Sequence, residues 1–499
     1  MRLVTTPIFY VNAAPHIGHL YSMVLADVAH RFQRLAGNPS RLSTGTDEHG
    51  TKVARAAAAA GTPPKPFVDR LSNQFRELAN AGNIDYARFV RTTDADHVAE
   101  ASRVWDTLRA KGWIYRAKHA GWYCVSDETF YPETELVEVD GNLKSKESGS
   151  AVEWYEEENW FFKLSELRPK LVELLEQRHD FVLPASRHRA LLAELRAEPL
   201  ADLSISRPRA RCAWGIPVPG DENQTMHVWF EALINYLTVA RSQSPHQSLA
   251  DWWPATHIVG KDIVRFHAVY WPAFLLAAEL PVPEQVVVHS HWTLEGVKMS
   301  KSKKNVVDPF EMIKTYGLDS VRYVLAHDGA LAHDSPFSPA RLAERHNVNL
   351  VNKWANLVSR VSAPKFSIAE SLRVWGERGL PSADGNHLAE RCTAYAASFE
   401  FGRYAQIVND AGMAANLAFQ AAEPWTNPEH PDSRVAVALA ADTCRVMAIL
   451  LQPICPTYAK TVLDKLDVAH DKRSLEHAAL GADLSYGKNV TKGHILKRI

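Results

Sequence analysis

Apolar positions change their spacing several times along this chain, and each change marks a switch of element. Leu3-Val4-Thr5-Thr6-Pro7-Ile8-Phe9-Tyr10 is rich in β-branched and aromatic residues, which predicts a strand. Asn12-Ala13-Ala14-Pro15 leads from it into Ile17, Leu20, Val24, Val28, Phe32 and Leu35, spaced as on one helix face. Pro15 suits the start of that helix and Gly37 its end. A second strand is predicted at Arg41-Leu42-Ser43-Thr44-Gly45, with helices near 63–81 and 94–111. Alternation of this kind predicts an α/β fold, a doubly wound parallel sheet with ligands at the strand carboxyl ends. Asp47 falls just past such an end, well placed to hold an ammonium group.

Residues 114 to about 199 break the rhythm. Tyr123-Cys124, Tyr131-Pro132-Glu133 and the acidic run Glu153-Trp154-Tyr155-Glu156-Glu157-Glu158 predict an inserted subdomain, followed by helices near 165–197. The sheet is expected to resume with Leu203-Ser204-Ile205-Ser206-Arg207 and to continue through His257-Ile258-Val259-Gly260 and a strand from Val286 to Trp292. Asp308-Pro309 is a cap followed by a first-turn proline, Gly317 closes that helix, and another follows from about Ser320. From about Ser338 the pattern is helical almost throughout, broken at Pro364, at Gly376 to Gly385 and at Pro424 to Pro431, which predicts a helix bundle.

Composition sets bounds. With 499 residues, 46% of them hydrophobic, the chain can bury large cores in two or three domains. A net charge of −1 gives no global nucleic-acid signal, so any RNA site must be a local patch. No apolar run is long enough for a membrane span, so a soluble protein is expected. The five cysteines, at 124, 212, 392, 444 and 455, form no close pair and point to a reducing compartment.

Two short segments carry candidate chemistry. His16-Ile17-Gly18-His19 puts both histidines in the first turn of the predicted helix, where exposed amides and the helix dipole favour phosphate. Two imidazoles three residues apart share a face and can donate to oxygens gaining charge on phosphorus, while Gly18 lets a purine or phosphate approach. A zinc pair would need further ligands, and no cysteine stands nearby. Downstream, Lys298-Met299-Ser300-Lys301-Ser302-Lys303-Lys304 forms a cationic loop of flexible point charges, suited to following a triphosphate as charge moves toward pyrophosphate. Alone it would read as a solvated basic loop.

Together the two segments match both signature motifs of class I aminoacyl-tRNA synthetases. Around them, Thr5-Thr6-Pro7-Ile8-Phe9-Tyr10-Val11-Asn12, Gly45-Thr46-Asp47-Glu48-His49-Gly50, Trp214-Gly215-Ile216-Pro217-Val218-Pro219-Gly220 and Gly260-Lys261-Asp262-Ile263 resemble the methionyl-tRNA synthetases, most closely their zinc-free mitochondrial type. The resemblance implies a Rossmann-like catalytic domain over 1–113 and 200–293, a connective-peptide insertion over 114–199, a signature-loop and stem-contact region over 294–337, and an all-α anticodon-binding bundle over 338–499.

It also implies the reaction, in which methionine and ATP give methionyl-adenylate and pyrophosphate before methionine moves to the 3′ end of tRNA(Met). His16, His19, Lys298 and Lys301 would be catalytic; Gly18, Lys261, Asp262 and Arg207 would join them around ATP. The methionine pocket, transferred residue by residue, would be Ile8, Tyr10, Asp47, Trp229, Ala232, Leu233, Tyr236 and His267. Leu233 stands where many members have proline, and Glu231 where many have aspartate. Leu350, Val351, Trp354, Leu357, Val358 and Val361 form one apolar stripe, which puts Asn356 and Arg360 on the opposite face. In the family those two positions and a tryptophan matching Trp425 contact the anticodon.

Magnesium is expected to arrive with ATP. Many members hold zinc in the insertion on paired cysteine motifs, but Cys124 with Asp127 offers one thiolate and a carboxylate, so no structural zinc is expected. A monomer is expected. The chain opens directly on its first strand, without the Arg-rich leader a matrix enzyme would ordinarily need; the resemblance still implies the mitochondrial matrix, with a leader removed, and the cytoplasm is the alternative. Rival readings are a small-substrate nucleotidyltransferase, which needs no helix bundle, and a non-catalytic RNA-binding relative.

Overall fold

The computed structural model describes residues 2–127, 129–139, 141–146, 148–241, 248–294, 296–298, 306–379, 387–491 and 495–499, with only the backbone of His119, Thr129, Val297 and Lys298. The chain divides into two compact, interleaved units. One holds the chain up to Pro15, Arg41–Ala79 and Tyr86–His289; the other holds His16–Ser40, Asn80–Asp85 and Ser290–Ile499.

The first unit is built on a six-stranded sheet in the order Arg88–Arg91, Ser40–Asp47, Arg2–Tyr10, Ala255–Gly260, Gln285–His289, Val182–Leu183. Arg2–Tyr10 pairs in parallel with Ala255–Gly260, which pairs in parallel with Gln285–His289, and the edge strands at both sides are also parallel to their neighbours. Leu3, Val4, Val286, Val287 and Val288 are buried, as strands covered on both faces require. Tyr10, Asp47 and Gly260 end their strands. Helices Pro64–Ala81 and Ala95–Ala110 lie close to the predicted bounds.

Three features differ from the sequence reading. Arg88–Arg91 is a strand too short for a periodic signal. Val182–Leu183, from within the expected insertion, adds itself to the parallel sheet beside Gln285–His289. Leu203–Ser204 and Ser206–Pro208 leave that sheet instead: the former pairs antiparallel with Glu153–Phe162, the latter antiparallel with Asp221–Met226. A strand-like composition says that a segment will pair, but the partner is decided by long-range contacts.

The insertion's own sheet runs Leu203–Ser204, Glu153–Phe162, Ile114–Cys124, Thr129–Tyr131. At its far end Cys124, Tyr131 and Leu136 form a small apolar cluster with Trp122, Leu143 and Val152 packed against it. Asp127 accepts from the Tyr131 hydroxyl at 3.0 Å and from Ser148. Burial, helped by Asp127, pushes the Cys124 thiol up to about 12. Among the described residues one thiol and a carboxylate already bonded to Tyr131 and Ser148 supply too few ligands to fit a structural zinc site, which takes four.

The second unit is mostly helical, with one small three-stranded sheet. Helix Ile17–Leu35 belongs here, with Leu318–Asp328, Ile368–Arg378, Leu388–Ala397, Phe401–Ala422, Pro431–Leu451 and Pro456–Lys465. Asp308 caps helix Pro309–Tyr316 by accepting from the Phe310 amide, and Gly317 ends it at φ 81°, as predicted. The breaks at Pro364 and between Ala422 and Pro431 are where the sequence put them, whereas Ile368–Arg378 runs on past Gly376. Residues 380–386 of that expected break lie outside the described residues.

A buried ion pair locks this unit. Arg322 meets Asp27 at 2.5 Å with both side chains fully buried, and it also donates to the carbonyls of Gly82, Pro453 and Ile454. Asp27 accepts from Arg31 at 2.7 Å and from the Asp85 amide at 2.8 Å. Buried charge on this scale is tolerated because the hydrogen-bonding groups around it are satisfied.

Candidate active site

In the first unit the carboxyl ends of the sheet strands face a helix that carries four of the expected pocket residues. Trp229, Ala232, Leu233 and Tyr236 lie on helix Val228–Arg241; the last three are buried. Tyr10, ending its strand, meets Trp229 edge-on at 5.9 Å. Ile8 packs against the same core in which Leu233 is buried. Asp47 is 2% exposed, its carbonyl accepts from the Val11 amide, and its charge bears on the Tyr236 phenol. Lys52 stands over the Tyr10 ring at 5.3 Å.

His267 belongs to a single π-helical turn, Phe266–Tyr270, set between strand Ala255–Gly260 and helix Trp271–Ala277. Its Nδ1–H donates to the Ile263 carbonyl at 2.9 Å, because a carbonyl only accepts. Nε2 is therefore unprotonated and accepts the Tyr236 hydroxyl at 2.7 Å. Burial pushes His267 down to about 4, so the ring is neutral, and the same burial raises the Tyr236 phenol.

The sequence reading missed Phe266, which stacks on Trp229 at 3.7 Å with the rings 14° from parallel. A π turn shifts which residues share a face, so helical spacing carries no signal there. It also missed the pair His49 and Glu231, both buried, 2.8 Å apart. Burial works against a charged His49, but Glu231 more than offsets this and raises the imidazole above its ordinary value. The pair ties the segment after Asp47 to helix Val228–Arg241.

Lys261 and Asp262 form a single turn directly after strand Ala255–Gly260, at its carboxyl end as expected. Arg207 is placed differently from the expectation that it lends charge to ATP. Its guanidinium is buried, bonded to Glu157, and stacked over Tyr123 at 4.0 Å and Phe130 at 4.5 Å. Glu157 neutralises it inside the insertion.

In the second unit, His16 is the N-cap of helix Ile17–Leu35 rather than a first-turn residue, and Pro15 precedes the cap. The His16 Nδ1 accepts from the Gly18 amide at 3.1 Å, and the His19 Nδ1 accepts from the His16 amide at 3.0 Å. Both rings thus cap the helix reciprocally, stand 3.9 Å apart, and in neutral form carry their proton on Nε2. A Cβ on Gly18 would come within 2.9 Å of the His16 ring, so this glycine makes room for the cap itself.

Strand Trp292–Leu294 pairs antiparallel with Val297–Lys298. Residues 299–305, Lys301 among them, lie outside the described residues. Just beyond them, the Val307 carbonyl accepts from the Ile17 amide at 3.1 Å. The backbone leaving the lysine run is therefore bonded to the residue that follows His16.

The structure describes all three residues expected to contact RNA, Asn356, Arg360 and Trp425. Asn356 is exposed on helix Asn356–Val361, which continues a π-helical stretch, His346–Ala355. Arg360 does not extend freely as the face pattern implied: it bonds to Asn416 at 2.8 Å and Gln420 at 2.6 Å. Its guanidinium lies over Phe419 at 4.9 Å and over half-buried Trp425 at 5.5 Å. Stripe residues Leu350, Trp354, Leu357, Val358 and Val361 are buried; Val351 is only partly so.

The family model described as tRNA synthetases class I (M) matches residues 2–142 and 137–362. The chain is 41% identical to the mitochondrial methionine–tRNA ligase of Candida albicans, covering 98% of this chain and 94% of that protein. It is 39% identical to the mitochondrial methionine–tRNA ligase of Homo sapiens, covering 94% and 84%. The solved structure of Mycobacterium tuberculosis methionyl-tRNA synthetase in complex with methionyl-adenylate is similar at a TM-score of 0.91 and 35% identity, covering 99% of both chains.

Proposed function

We propose how particular residues divide the work of catalysis in this chain, which belongs to the class I methionyl-tRNA synthetases. It is a methionine–tRNA ligase: methionine and ATP form methionyl-adenylate and pyrophosphate, and methionine then passes to the 3′ end of tRNA.

Asp47 holds the ammonium group of methionine, and Ile8, Tyr10, Trp229, Ala232, Leu233, Tyr236 and His267 enclose its side chain. Aromatic faces suit a polarizable thioether better than a polar group would. With the amine held, the substrate carboxylate attacks the α-phosphate of ATP. His16 and His19 present Nε2–H donors to the oxygens that gain charge, and Lys298 and Lys301 follow the leaving pyrophosphate. Asp262 engages the ribose beside Lys261. Magnesium enters with ATP as its counter-ion. The observation that carries this division is the bond from the Ile17 amide to the Val307 carbonyl, which anchors the chain next to the lysine run at the histidine-capped helix end.

Asn356, Arg360 and Trp425 read the anticodon of tRNA(Met), Trp425 by stacking on an unpaired base. The chain acts as a monomer, and in the mitochondrial matrix, a location supported by its mitochondrial relatives. Pyrophosphate exchange with each of the twenty amino acids is the test: methionine alone should support rapid exchange, and tRNA-independent release of a stable nucleotide product would contradict the reading.

A further inference from the structure

Three arginines of the second unit illustrate the usual way of holding a guanidinium, against a carboxylate. Arg445 meets Asp442 at 2.6 Å, and Arg341 and Arg345 meet Asp328 at 2.5 and 3.1 Å. Arg360 is held by two amides instead. Its two terminal nitrogens donate to the side-chain oxygen of Asn416 at 2.8 Å and to that of Gln420 at 2.6 Å. Burial draws its pKa below the ordinary value, and no charged group among the described residues acts on it.

The two amides are placed for this contact by the helix that carries them. Asn416 and Gln420 lie one turn apart on helix Phe401–Ala422, so their side chains share a face and both ends of one guanidinium reach them. A guanidinium only donates, so each amide turns its oxygen toward it. The Asn416 side-chain nitrogen in turn donates to the Lys353 carbonyl at 3.5 Å, which orients that amide from both ends. Buried Phe419, on the same helix, meets the guanidinium at 4.9 Å and half-buried Trp425 meets it at 5.5 Å. Of the five N–H groups of a guanidinium two are spent on the amides, and the other three have no bond to a described residue. The cation is fixed in place and keeps its full charge.

We propose that Asn416 and Gln420 are positioning residues for tRNA: they hold the Arg360 fork beside Trp425 without neutralising it, so that its charge and its remaining donors meet the acceptor atoms of the nucleotide stacked on that ring. This rests on the anticodon assignment made under the proposed function and extends it to two further residues. A carboxylate in either place would make the stronger bond to the guanidinium. It would also cancel the charge that attracts RNA.

The test is charging of tRNA(Met) by the wild type, Asn416→Asp, Gln420→Glu and, as a control for added charge alone, Leu417→Glu at an exposed position of the same helix, with folding checked by near-UV circular dichroism. Each of the first two variants should raise KM for tRNA about tenfold or more, with kcat moving less than about threefold. Leu417→Glu, further from the cation and screened by salt, should raise KM less than about threefold. In an Arg360→Gln background Gln420→Glu should cost no more than that control, since no charge is left to cancel. A packing role predicts the opposite, because the isosteric carboxylates keep the bond. Charging equal to the wild type, an equal loss in Leu417→Glu, or an undiminished loss in the Arg360→Gln background would overturn the role of the two amides. Unimpaired charging by Trp425→Ala would overturn the anticodon assignment, and this inference with it.

Discussion

The proposed methionine pocket of the first unit and the proposed anticodon patch at Arg360 and Trp425 of the second use similar side chains under opposite conditions of exposure. In the pocket, Phe266 covers Trp229, and Tyr236 and His267 are buried with their hydrogen bonds directed into the protein. In the patch, Asn416 and Gln420 hold Arg360 over a tryptophan that remains partly open to solvent, and Asn356 is exposed. A small apolar side chain is selected by enclosure, where shape and the absence of polar partners decide. An unpaired base needs an open ring face and polar groups already held in place. On the proposed assignment the same residue types serve two tasks, and burial assigns the task.

This contrast can be broken experimentally. Lys301→Ala should slow methionine-dependent pyrophosphate exchange by roughly 10²-fold or more while leaving tRNA affinity nearly unchanged, since the proposed role of the lysine is to follow the leaving phosphates. Equal exchange in both proteins would remove it from the chemistry. Trp425→Ala should lower kcat/KM for tRNA charging about 10- to 100-fold, the size of one lost base stack, with exchange nearly intact. Equal losses in both assays would make Trp425 a packing residue.

A pH titration sharpens the pocket half. His267 has a folded-state value of about 4 against an ordinary 6.5, so the unfolded chain binds the proton first as pH falls. The stability that neutral His267 contributes is complete above about pH 6.5, is lost as pH falls, and is exhausted near pH 4, for a total of about 3 kcal/mol. His97, pushed by burial to about 3, adds to the same slope. Thermal melts of His267→Gln should depend less steeply on pH in this window; an unaltered slope would mean that His267 is not buried and neutral. The smallest effect is expected at Cys124: metal analysis of purified protein should find no stoichiometric zinc, and a chelator should not shift the melting temperature.

Much of the fold was legible because long, periodic segments carry their own signal. Helix Ile17–Leu35 and the cap at Asp308 stand where the sequence put them, to within a residue or two. Legibility failed where partner or register depended on distant residues. Leu203–Ser204 was readable as a strand but not as a member of the insertion's sheet. Arg207 had the charge expected of a phosphate ligand, yet Glu157, fifty positions earlier, neutralises it. Phe266 was invisible because a π turn displaced it from helical spacing.

The amino-acid sequence by itself determined the chemistry available at each position: the histidine pair before a helix, the lysine run, a carboxylate at a strand end and an aromatic stripe on a helix. Those are local properties, fixed by residue type and spacing. Tertiary structure alone decided which nitrogen of His257 and of His267 carries the proton and which arginine is neutralised. Protonation and hydrogen-bond direction are set by partners that folding brings in from distant parts of the chain, as Thr5 and His257 meet across 252 positions.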